Sequence, residues 1–341
     1  MRITTHHSDW IKRRLGDTAV TVLLLTAYLL TGCSVDKGPN EQDSVADQAV
    51  VERAAGDVAY EPAEPQLEPV RTTPVTYQEA EAAYRDGHYD RAVQLFVAYT
   101  EVEPENPWGY FMLGLSARRA GDLETAEWSF EEALARDPQH VKSMLNLSRV
   151  LLDTDRPGEA VMELTFALEL DSTSNVVHRL LGRGFHELGK VEDAIASYRH
   201  AIVLNGSDVW AMNNLGYLYI QRGRFTDAIG PLARAVELDS TRALFLNNLG
   251  MALERAGYVG SARDAYDQAV RYDPDHRKAM QNLARVEERG VDLDINADLT
   301  VLARAFVDEI SSRRELAAGE LVPANGPPDG PDVPQPEPPE R

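Results

Sequence analysis

Cysteine is almost missing from this sequence: Cys33 is the single one in 341 residues. One thiol cannot close an intramolecular disulfide, and a cysteine-rich zinc site is equally excluded. Positive charge is also scarce. Thirty-four Lys and Arg face 55 Asp and Glu, for a formal charge of −21, which argues against a general nucleic-acid binder, because such a protein needs cations to displace phosphate counterions. HExxH, GxSxG, a phosphate-binding glycine loop and a Cys–His pair are absent, so the sequence points to no enzyme and requires no cofactor or metal. His178 and His186 lie eight apart, which is not chelating spacing, and read as surface or packing residues. Catalysis and metal binding therefore find no foothold. A 43% hydrophobic content still suffices to bury a core.

The first segment reads as an address. Lys12, Arg13 and Arg14 precede an apolar run, Ala19 to Leu30, which is followed by Thr31-Gly32-Cys33. As a helix this run is about 18 Å long, short of the roughly 30 Å of bilayer hydrocarbon. Leu30-Thr31-Gly32-Cys33 resembles the lipobox of bacterial lipoproteins, which implies cleavage of a signal peptide, residues 1–32, and lipidation of Cys33. The resemblance further implies an extracytoplasmic protein held on a membrane by its acyl chains. Ser34 follows, where an Asp would resemble the inner-membrane retention signal of enterobacteria, so the periplasmic face of the outer membrane is favoured in a host with two membranes. Residues 34–72 hold nine acidic and three basic side chains with Pro39, Pro62, Pro65 and Pro69, and no sustained apolar periodicity. With Cys33 they are expected to form a disordered acidic tether.

From Thr73 the chain repeats with a period of 34. Counting units from 73, 107, 141, 175, 209 and 243, place eight holds Ala80, Gly114, Ser148, Gly182, Gly216 and Gly250, and place twenty is alanine throughout, from Ala92 to Ala262. Place twenty-four holds Phe96, Phe130, Leu164, Tyr198, Leu232 and Tyr266; place fifteen holds glycine except for Asp155. Places four, seven, eight and eleven share one helical face, and places twenty, twenty-four and twenty-seven share another. Each unit is thus predicted to be a helical hairpin whose small residues permit close approach and whose place-fifteen glycine makes the turn. One hairpin cannot bury both its faces, so neighbours stack.

This pattern resembles the tetratricopeptide repeat, followed most closely by residues 107–140 with Leu113-Gly114, Gly121, Ala126, Phe130, Ala133 and Pro138. The resemblance implies an all-α fold, a right-handed superhelical solenoid of tetratricopeptide helical hairpins with a C-terminal capping helix. Six repeats span residues 73–276. The third departs most, with Ser148, Asp155, Pro157 and Ser172 at places usually held by other residues, and Pro157 is tolerated in a first helical turn. Residues 277–316 are expected to form capping helices, the last over roughly 297–316 with Leu299, Leu302, Ala303, Phe306 and Ile310 on its apolar stripe. Residues 317–341, with eight prolines, are predicted to be a disordered acidic tail.

In this family the stripe opposite the buried face of each first helix, places two, six, nine and thirteen, lines the concave groove. Here it carries nine basic residues, Arg85, Arg119, Lys142, Arg149, Arg183, Arg255, Lys278, Arg285 and Arg289, against Glu81, Asp153 and Glu187. Place six holds Asn146, Asn214, Asn248 and Asn282, a series similar to the asparagine ladder in the superhelical domain of O-linked N-acetylglucosamine transferases. An amide can donate to a peptide carbonyl and accept from a peptide N–H together, so such a series holds an extended backbone without selecting its sequence. Trp108, Trp210, Tyr217 and Met251 add apolar anchors. The expectation is a membrane-anchored scaffold that recruits or assembles a protein or peptide partner of the bacterial envelope through this groove. The alternative is an accessory subunit of an envelope enzyme or secretion complex, docking through its convex face or cap.

Overall fold

A computed structural model describes residues 74–288 and 296–320, the side chains of 317–320 excepted. Cys33, Arg289, the signal-like segment, the tether and residues 321–341 lie outside the described residues. All regular structure among them is helical, in fourteen helices. Each of the six repeats holds two consecutive helices: α1 (Tyr77–Arg85) and α2 (Tyr89–Val102), α3 (Pro107–Ala120) and α4 (Leu123–Arg136), α5 (Val141–Asp153) and α6 (Pro157–Leu170), α7 (Asn175–Glu187) and α8 (Val191–Leu204), α9 (Val209–Gln221) and α10 (Phe225–Leu238), and α11 (Ala243–Ala256) and α12 (Val259–Tyr272). Then come α13 (Arg277–Glu288) and α14 (Leu299–Glu320). The fold is all-α, a solenoid of helical hairpins.

The chain divides into two compact units. One contains the described residues up to Gly121 together with Glu131–Pro138; the other contains Asp122–Phe130 and the described residues from Gln139 onward. In the first, Tyr77 meets Phe96 and Tyr99 edge-on at centroid distances of 5.7 and 5.6 Å, locking α1 to α2. A Cβ on Gly109 would stand 2.9 Å from the Tyr99 ring, so glycine there lets α3 approach α2 closely. Arg136 donates to the Tyr110 hydroxyl at 2.8 Å and to the Pro104 carbonyl, while its guanidinium sits 3.8 Å from the Tyr110 ring centroid.

In the second unit each hairpin packs on the next, and the repeat's small residues work as their places require. A Cβ on Gly182 would meet the Tyr198 ring at 2.7 Å, one on Gly250 the Tyr266 ring at 2.5 Å, and one on Gly216 the Leu232 side chain. Place eight therefore seats against place twenty-four of its own hairpin. The alanines at place twenty are fully buried. The five place-fifteen glycines all have positive φ, and Asp155 adopts the same left-handed conformation at φ 56°. The third hairpin thus keeps the repeat's turn without glycine. Pro157 occupies the first turn of α6, where it forfeits no helical hydrogen bond.

The last helix corrects the sequence reading. α14 extends to Glu320 and does not cap the stack on α13; it packs against α10 and, farther along, α8. Ala303, Phe306 and Ile310 are buried there. The reason lies in α10: a Cβ on Gly230 would stand 3.1 Å from the Phe306 Cβ and 3.4 Å from the Leu302 carbonyl oxygen. Gly230 and the buried Pro231, inside a helix that the repeat alone would have built without them, make the shallow surface on which α14 lies. Polar contacts fix the crossing, since Arg199 donates to Glu309 at 2.8 Å and Arg314 to the Val203 carbonyl at 2.8 Å.

Candidate peptide-binding strip

The exposed stripe of the first helices in the second unit is a hydrogen-bonded polar strip. Asp208 caps α9 by accepting from the Ala211 N–H at 3.0 Å, which sets the register of Asn213 and Asn214 on the first turns. Asn214 hydrogen-bonds the Tyr198 hydroxyl, whose titration burial pushes well above the ordinary phenol range. The Asn213 amide donates to the Asn214 oxygen at 3.2 Å, and Asn248 donates to the Asn213 oxygen at 2.9 Å. One hairpin further on the pattern recurs: Asn282 donates to the Asn247 oxygen at 3.0 Å. Arg285 closes the series, donating to Asn282 at 2.7 Å and pairing with Glu254, whose second oxygen accepts from the Tyr266 hydroxyl at 3.0 Å.

The series has two consequences. Place six of one hairpin is tied to place five of the preceding one, so the asparagines join consecutive first helices as well as facing outward. Asn248 is 5% exposed and therefore mainly a coupling residue, while Asn214 and Asn282 remain half-buried with amide capacity to spare. Asn146 is buried also, donating to the Lys142 carbonyl at 2.8 Å and accepting from Arg149 at 3.1 Å. Asn213 and Asn247 were missed by the sequence reading, although the doublets Asn213-Asn214 and Asn247-Asn248 stood one period apart.

The cations sort into two kinds. Arg183 pairs with Asp153 at 2.9 Å and Glu187 at 2.7 Å; burial opposes its charge, and these two carboxylates more than restore it. Arg149 and Arg285 are engaged as described. Arg255 and Lys278 are different: both are exposed and neither has a hydrogen bond or ion pair among the described residues. Trp210 stacks edge-on with Phe245 at 5.2 Å and carries the Arg242 guanidinium 4.9 Å from its centroid, yet stays 39% exposed. Tyr217 is 38% exposed. The strip from α9 to α13 thus presents aromatic surface at one end, amides in the middle and, at the other, two cations without a partner among the described residues. Such a surface can bind an extended acidic or carboxylate-bearing segment and has no arrangement of nucleophile and base.

The fold is that of a repeat scaffold for protein–protein interaction. Sequence models of the tetratricopeptide repeat match residues 77–129, 111–168, 209–245 and 243–276, and a model described as a TPR repeat matches 182–221. The chain is a tetratricopeptide-repeat protein. It is 31% identical to Protein NPGR2 of Arabidopsis thaliana over 109 residues, 30% of this chain and 15% of that protein, and 33% identical to human Tetratricopeptide repeat protein 7B over 97 residues, 28% of this chain and 12% of that one. The matched stretches are thus a small part of either relative. The crystal structure of the APC/C hetero-tetramer Cut9–Hcn1 shares the fold with a TM-score of 0.54 at 17% identity, over 72% of this chain and 48% of that one. No helix among the described residues is long and apolar enough to cross a membrane.

Proposed function

We propose that this protein is a membrane-anchored extracytoplasmic scaffold that captures a peptide segment of a bacterial envelope protein along its first-helix strip and so recruits or assembles that protein. The anchoring rests on the sequence about Cys33. The binding reading rests above all on one observation: among the described residues Arg255 and Lys278 stand exposed and without a hydrogen bond or ion pair beside the amide series, in a protein of net charge −21 in which Arg149, Arg183 and Arg285 of the same strip have carboxylates or amides at hand. A segment carrying a carboxylate satisfies both cations while its backbone meets Asn214 and Asn282, and its apolar side chains lie over Tyr217 and Trp210.

The test of binding compares the full chain with Arg255→Glu/Lys278→Glu in crosslinked capture from envelope extract of the native host, read by mass spectrometry. Loss of a partner in the variant, with its melting temperature unchanged, supports the reading; equal capture by both contradicts it. The anchoring is tested separately by Cys33→Ser, expected to leave the membrane fraction or accumulate as uncleaved precursor. Docking through the second-helix face instead has less surface to use, since α14 covers α10 and part of α8.

A further inference from the structure

In hairpins two, three, five and six the first helix buries both places four and eight. Met144 and Met212, both at place four, are 0% and 1% exposed. α13 has the same places, with Met280 at four, Leu283 at seven, Ala284 at eight and Glu287 at eleven, but α14 packs on α10 and α8, and among the described residues no second helix is seated beside it. Met280 is accordingly 47% exposed, and Ala284 is exposed as well. The seat is built for a helix: a small residue for close approach, flanked by Met and Leu to fill the gaps.

We propose that the occupant is a second copy of this chain, α13 packing antiparallel on α13 about a two-fold axis. The charges argue for it. Arg277 lies in the first turn of α13 and Glu287 and Glu288 in its last, each at the end where the helix macrodipole disfavours its sign. All three are exposed and without an ion pair among the described residues. Arg277 and Glu288 are eleven positions apart, about 16 Å along a helix, so they do not neutralise each other within one chain. An antiparallel two-fold pairing brings Arg277 beside Glu288 of the partner subunit, on the same flank of the contact, and does so twice. It also sets Met280 within about one residue's rise of Ala284 of the partner subunit. The contact is self-complementary, as an isologous interface must be. Lys278, Asn282 and Arg285 lie on the other side of α13, so pairing leaves the polar strip open.

A single helix pair is a small interface, which places the dimer in the weak, concentration-dependent class. The test is sedimentation velocity of the full chain in a density-matched detergent over a concentration series, with Arg277→Glu, Glu288→Arg, the two combined, and Met280→Asp. The wild-type chain is expected to show a monomer–dimer equilibrium. Either charge reversal, and Met280→Asp, should raise the dissociation constant about tenfold or more, and the combined reversal should bring it back to within about threefold of wild type, with helicity equal in all. Monomer at every wild-type concentration overturns the proposal, as does a dimer indifferent to Met280→Asp, a combined variant no better than the single ones, or a seat filled only by another protein's helix.

Discussion

The two faces of hairpins four to six arise from one 34-residue pattern and end differently. The second-helix face is covered over α10 and part of α8 by the chain's own α14, with Phe306 buried over Gly230 and Ile310 buried farther along. The first-helix face stays open, and its polar groups bond chiefly to one another, from Asn213 to Arg285. A repeat prescribes how hairpins pack. It leaves each outer face to residues the packing does not use, and these decide whether a face is sealed or offered.

Four substitutions separate what the two faces share from what each has alone. Ala228→Arg attacks what both faces depend on, since the residue is fully buried at place twenty; overpacking and an unpaired buried charge should cost about 3–5 kcal/mol, visible in chemical denaturation. Phe306→Ala breaks the sealed face and should cost about 3 kcal/mol, with faster hydrogen exchange in α14 and little change in α9 or α11. Asn248→Ala tests the open face. It removes a buried amide that joins two hairpins and strands the Asn213 oxygen, so a loss of about 1–2 kcal/mol is expected. Changing Asn214, Asn248 and Asn282 together to Ala will therefore lower the melting temperature, and the Arg255/Lys278 pair is the cleaner probe of binding. Asp155→Gly should stabilise by about 0.5–1 kcal/mol, because glycine occupies a positive φ without the side-chain penalty.

Where packing repeats, the sequence was legible. Small residues at place eight, alanine at place twenty and an aromatic or leucine at place twenty-four each have one geometric role, and a period of 34 carries no ambiguity of register. The seat of α14 escaped because it is not periodic: its apolar stripe marked an amphipathic helix without saying which surface it would cover. Gly230-Pro231 in the middle of α10 was the available clue, since neither residue favours a helix interior. The strip was legible by position and not by partner. Spacing located Asn214, Asn248 and Asn282 on one stripe, but whether an amide turns outward or toward the neighbouring hairpin depends on place five, where Asn213 and Asn247 lie within reach. The same holds for charge, where a count of nine basic residues concealed that Arg183 and Arg285 already have carboxylate partners while Arg255 and Lys278 do not.

Which face holds the partner is tested by site-specific photocrosslinking in the native host, with a photoreactive side chain placed at Tyr217 on the open face or at Ala196 on the second-helix face. Capture on the open face gives one discrete adduct from Tyr217, lost when Arg255 and Lys278 are changed to Glu, and none of that mass from Ala196. The same adduct from Ala196, or an adduct at Tyr217 that survives loss of both cations, would contradict it.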